Sequence, residues 1–168
     1  MGKKMKKFSG KESDLYEPMR LWLDQKLRDK YKNGYEIITM DASQIYLDKA
    51  LSKHNIKSDV ANGLNIQIDV LGIVKKEKSV KLFFIEAKKE SFTIRDLGQL
   101  WAYCKLIDPE EAYLLTTETF GQLKKPLLDF NRMDMLDFGD GRKIKQMHVG
   151  IWNVSTNSVD FQTLIPKT

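Results

Sequence analysis

Two neighbouring runs of β-forming residues constrain this chain more than any other feature. Residues 64–74 read Leu-Asn-Ile-Gln-Ile-Asp-Val-Leu-Gly-Ile-Val and residues 80–87 read Val-Lys-Leu-Phe-Phe-Ile-Glu-Ala, with a lysine-rich turn over 75–79 between them. Two such runs joined by a polar turn predict a hairpin. The second run is apolar at four consecutive positions, Leu82 to Ile85, so it has no face to offer to water. A strand of that kind belongs in the interior of a sheet covered on both sides. Two acids are thereby fixed in awkward places, Asp69 inside the first run and Glu86 at the end of the second. A carboxylate at the end of a buried strand is costly unless it is paired or liganded.

The rest of the chain supplies the covering layers. Leu15, Met19, Trp22, Leu23, Leu27 and Tyr31 recur at helical spacing over 13–31, with Ser13 or Asp14 as cap. Pro18 is tolerated only in a first turn, which starts the regular helix near Glu17, and Asn33-Gly34 stops it. Residues 35–40 read as a strand and 43–54 as a short helix. Thr93 with Asp96 three residues later forms a capping box for a helix over 93–107, whose apolar face is Leu97, Leu100, Trp101, Cys104 and Ile107. A buried strand follows over 112–116, then a helix over 119–131 strained by Pro126. A closing strand pair spans 143–154 and 159–164 through Asn157-Ser158. This order predicts an α/β fold, a mixed central sheet flanked by helices, in one domain over 13–168. The basic segment 1–12 reads as a flexible leader, with a solubilising tail and a phosphate-contacting arm as its two readings. Trp22, Trp101 and Trp152 are expected in the core, and His148 on a strand.

Composition narrows the chemistry. A chain of 168 residues suits one core. No apolar run approaches the ~20 residues of a membrane span, and no apolar stretch follows the basic start as in a signal peptide. The expectation is an intracellular protein, cytoplasmic or nucleoid-associated, with no membrane partner. Cys104 is the only cysteine, and His54 and His148 lie far apart. That excludes an intramolecular disulfide and argues against structural zinc. A metal here is expected to be hard and oxygen-liganded, Mg²⁺ or Mn²⁺. The net charge of +5 favours a polyanionic partner. Lys89, Lys105, Lys124 and Lys125 are candidates for a phosphate-binding surface, alongside the plainer reading of a solvated face.

Phosphodiester hydrolysis needs neutralisation of the phosphate, a positioned water and a stabilised leaving oxygen. Strand residues i and i+2 share a face, so Glu86 and Lys88 project together. Pairing of the two hairpin arms can bring Asp69 beside Glu86, and two carboxylates that close repel unless a cation sits between them. A Glu-x-Lys triplet is common, and on a strand it is usually a modest ion pair, so the triplet alone does not decide.

The ordered set is more specific. Ile68-Asp69-Val70-Leu71-Gly72 followed by Phe84-Ile85-Glu86-Ala87-Lys88 resembles the PD-(D/E)XK nuclease superfamily, with Ile68 where a proline is usual. Gln99-Leu100-Trp101-Ala102-Tyr103 is similar to the Gln-xxx-Tyr motif of its RecB-like and Cas4-like members. Leu15-Tyr16-Glu17-Pro18-Met19 resembles their first core helix. The resemblance covers about residues 13–116 and implies a restriction-endonuclease-like core. It implies that Asp69, Glu86 and the Ala87 carbonyl ligate Mg²⁺ or Mn²⁺. Lys88 would orient or activate the water and stabilise the phosphate, Gln99 and Tyr103 would hold a metal-site carboxylate or a phosphate, and Glu17 would assist the metal. The implied partner is DNA, with RNA the alternative substrate, and a homodimer if both strands of a duplex are cut. The competing expectation is a catalytically silent nucleic-acid-binding or assembly module on the same fold.

Overall fold

The computed structural model describes residues 7–167. A 3₁₀ turn, Glu12–Leu15, leads into α1 (Tyr16–Lys30), β1 (Glu36–Asp41), α2 (Leu47–Ser52), β2 (Val70–Lys76), β3 (Ser79–Lys88), α3 (Ile94–Ile107) and β4 (Glu111–Thr116). Short β5 (Asp137–Phe138) and β6 (Lys145–Gln146) pair with each other, and β7 (His148–Asn153) and β8 (Ser158–Ile165) complete the chain. The main sheet has six strands in the order β1-β2-β3-β4-β7-β8. β3, β4 and β7 run parallel, and the remaining pairs are antiparallel. The fold is therefore α/β with a mixed sheet between helical layers, and the doubly apolar β3 is one of its two central strands. No helix among the described residues is long and apolar enough to cross a membrane.

Strand parity divides the core in two. Phe83, Ile85 and Ala87 of β3 face α1, where Leu15, Met19, Leu23 and Leu27 cover them. Phe84, with Leu82, faces the other side, under Leu97, Leu100 and Cys104 of α3. Gly72 lets α1 sit close to β2: a Cβ there would lie 3.0 Å from Leu23 and 3.1 Å from both Leu27 and Phe83. By the same alternation Glu86 and Lys88 belong to the α3 side. Thr93 and Asp96 form the expected reciprocal cap of α3.

Several expected elements change shape. The first hairpin arm was expected from residue 64, but the ladder starts at Val70. Asn65 takes a left-handed backbone, and the carbonyls of Ile66 and Asp69 accept N–H donors from Leu47 and Ala42 instead of a strand neighbour. The chain over 119–131 is not one helix. It is a 3₁₀ turn, Gly121–Leu123, followed by a π-helical turn, Lys124–Asp129, because Pro126 has no N–H to give. The strand expected over 143–154 divides at Met147, whose N–H goes to Leu136, so that β6 pairs with β5 and β7 joins the main sheet. Trp152 is 1% exposed, as expected of core, and Trp22 packs edge-on against it. Trp101 is not core: it is 40% exposed, and its indole N–H donates to the Asp137 carbonyl. Of the expected leader, residues 1–6 lie outside the described residues, and Phe8 packs against the α1-side core.

Candidate active site

The hairpin register makes Asp69 and Glu86 neighbours. Val70 pairs with Ile85 at the end of the antiparallel ladder, and one step further Asp69 stands opposite Glu86. Directly opposed residues of an antiparallel pair share a face. Asp69 is held there by its Oδ2, which accepts the Ala87 N–H at 2.9 Å. Its carboxyl group is close enough to that of Glu86 for each to perturb the other. Glu86 is 7% exposed, and its Oε1 has no hydrogen-bond partner among the described residues.

Such an arrangement is electrostatically uncomfortable. Burial, then the Asp69 charge, pushes the Glu86 carboxyl well above the usual carboxylate range. Burial raises Asp69 as well, although the Ala87 N–H opposes it. Lys88 attracts both groups without cancelling the penalty.

Lys88 ends β3 on the same face, and its Nζ lies 3.7 Å from Asp96 Oδ1 in the first turn of α3. The connection into α3 is pinned from β4 and beyond. Thr116 Oγ1 donates to the Glu90 carbonyl at 2.6 Å and Thr117 Oγ1 to the Lys89 carbonyl at 3.1 Å. The cluster thus sits at the carboxyl ends of two parallel strands, the usual place for ligands in α/β sheets.

Gln99 and Tyr103 are joined, with Gln99 Nε2 donating to the Tyr103 hydroxyl at 3.0 Å. They follow Asp96 along one stripe of α3, at helical spacings of three and four. No direct hydrogen bond ties either residue to Asp69 or Glu86 among the described residues. Glu17 is elsewhere: both its oxygens bind the Arg20 guanidinium, which lowers its carboxyl group. The acid nearest the pair from the N-terminal segment is Glu12, whose charge reaches Asp69 and whose Oε2 accepts the Lys89 N–H at 3.1 Å. Tyr16 also faces Asp69, and burial with the adjoining carboxylates pushes its phenol well above the ordinary range. Glu12 and Tyr16 were not legible as site residues. The available signal was Leu15 and Met19, which turn that end of α1 onto the sheet. Among the candidate phosphate contacts, Lys105 donates to the Gly139 carbonyl and Lys124 pairs with Asp129.

Comparisons with protein-family models, with curated proteins and with solved structures find no match to this chain.

The donor set decides what the site can hold. Two carboxylates and a main-chain carbonyl are hard oxygen donors, suited to Mg²⁺ or Mn²⁺ and poorly suited to soft metals. An orphaned buried carboxylate oxygen beside a second acid fits a divalent cation, since a cation offsets the burial that raises both groups and the Asp69 charge that raises Glu86 further. Among the described residues no group of three His, Cys, Asp or Glu side chains is arranged to hold a metal, so the Ala87 carbonyl and water would have to complete the shell.

Proposed function

We propose that the chain is a Mg²⁺- or Mn²⁺-dependent nuclease that hydrolyses DNA phosphodiester bonds, with a PD-(D/E)XK core. The observation that carries the reading is Glu86: a buried acid with an unpartnered oxygen, set against Asp69 on the adjoining strand segment, two residues from Lys88. A structural ion pair would satisfy that oxygen; a ligand site leaves it free.

Asp69, Glu86 and the Ala87 carbonyl would hold the cation, which supplies charge neutralisation at the phosphate and a water made acidic enough to attack. The chain's own residues do the rest. The Ala87 N–H fixes the Asp69 carboxylate, so a donor oxygen is in place before substrate arrives. Lys88 presents an ammonium on the same face, suited to a non-bridging phosphate oxygen and to the charge that builds on it. Gln99 and Tyr103 line the next turns of α3, where their free amide and phenol edges can meet substrate polar groups. The net charge of +5 favours a polyanion.

Because no group of three His, Cys, Asp or Glu side chains among the described residues is arranged to hold a metal, a second reading stands beside the first, a silent nucleic-acid-binding module. One assay separates the two. Labelled duplex, single-stranded and branched DNA, and RNA, are incubated with Mg²⁺, Mn²⁺ or EDTA. The nuclease reading expects cleavage with metal that Glu86→Ala abolishes. Salt-sensitive binding that ignores EDTA and survives Glu86→Ala, with every substrate intact, refutes it.

A further inference from the structure

The Lys88 ammonium is on the wrong carboxylate for its own neighbourhood. It shares a face with Glu86, two residues away, and Glu86 Oε1 is buried with no partner. A lysine on a flexible four-carbon stem beside such an oxygen is expected to fold onto it and relieve it. Instead its Nζ stands 3.7 Å from Asp96.

Asp96 is able to win because it is rigid. Its Oδ2 accepts the Thr93 N–H at 2.8 Å, and its own N–H donates to Thr93 Oγ1 at 3.3 Å. The start of α3 is fixed in turn, with the Ile94 N–H on Gln122 Oε1 at 2.9 Å. One carboxylate therefore caps the helix with one oxygen and faces the lysine with the other.

We propose that Asp96 is a positioning residue that holds the Lys88 ammonium off the Asp69–Glu86 pair and so keeps that pair open to a divalent cation. The inference rests on the reading of Asp69 and Glu86 as a cation site. Without the Asp96 charge, Lys88 falls onto Glu86, satisfies Oε1 and competes with the metal as an internal cation.

Titration calorimetry of the full chain with MnCl₂ tests this. Asp96→Asn keeps an acceptor for the Thr93 N–H but loses the charge, and is expected to weaken Mn²⁺ binding about tenfold, on the order of the smaller effects seen when residues around a metal site are changed. Lys88→Met removes the competitor, so Lys88→Met with Asp96→Asn is expected to bind as tightly as Lys88→Met alone. Thr93→Ala removes the Oγ1 half of the cap but keeps both the Asp96 charge and the backbone N–H that holds Asp96 Oδ2, and is expected to lower the melting temperature while leaving Mn²⁺ affinity as in wild type. Equal weakening by Asp96→Asn with and without Lys88, or weakening by Thr93→Ala to the same degree, assigns Asp96 a merely structural role and overturns the proposal. Wild-type affinity in Asp96→Asn overturns it too. A wild-type chain that binds no Mn²⁺ removes the cation site itself, and the inference with it.

Discussion

If Glu86 is kept buried beside Asp69 for a ligand, then without the ligand it weakens the fold, and Glu86→Gln should strengthen it. The sign follows from the raised carboxyl group. A group whose folded-state pKa exceeds its unfolded value contributes stability that is complete below the unfolded value, ~4.3 for glutamate, and is lost as pH rises through the folded one. Between those limits the folded state binds up to one extra proton, and stability falls by about 1.4 kcal/mol per pH unit. For a domain of this length ~1 kcal/mol moves the melting temperature by about 2–4 °C, so wild type in EDTA should lose roughly 3–5 °C per pH unit within the window. Glu86→Gln carries no charge to bury, and its amide can donate to Asp69. Thermal unfolding in EDTA from pH 5 to 8 should give diverging curves, with the variant melting higher at pH 8 and the gap closing toward pH 5. Saturating Mn²⁺ should raise wild type at pH 8 and leave the variant nearly unmoved. Parallel pH profiles, or a variant that melts lower throughout, would show that Glu86 is satisfied in a way the geometry does not reveal, and the reasoning would be refuted.

The other predictions concern single positions. Lys88→Ala should lower the hydrolysis rate by about 10²–10³-fold, the effect of losing one preorganised charge, while unfolding shifts by less than about 1 kcal/mol because its 3.7 Å ion pair is partly exposed. Glu17→Ala should leave cleavage and Mn²⁺ affinity unchanged, since Arg20 holds both its oxygens, whereas Glu12→Ala should impair cleavage; kinetics on the two variants give the order. Gly72→Ala should destabilise by about 1–3 kcal/mol in urea unfolding, because the new methyl group meets Leu23 and Leu27 at 3.0 and 3.1 Å.

How much of this was legible in the sequence depended on how local the cause was. Strand parity put Glu86 and Lys88 on one face, and the hairpin put Asp69 opposite Glu86, because period-two alternation and antiparallel register are short-range rules. The capping box at Thr93 and Asp96 was equally plain. Its second partner, Lys88, was not, because that contact depends on how the chain turns between β3 and α3. Glu17 and Glu12 differ by about one and a half helical turns, and the arginine three residues after Glu17 draws it to solvent. The start of β2 was misplaced because Asn65 and the Leu47 and Ala42 N–H groups, not propensity, decide where the ladder ends. Trp101 fits an apolar helical face, yet it is 40% exposed there, with its indole N–H on the Asp137 carbonyl.

The most direct measurement of the central claim is anomalous diffraction from a crystal of the chain grown or soaked with MnCl₂. One peak is predicted between the Asp69 and Glu86 carboxylates, with an oxygen of each at roughly 2.1–2.2 Å, the range for a small hard cation. Density there that belongs to the Lys88 ammonium, or manganese bound only elsewhere on the molecule, would contradict the account.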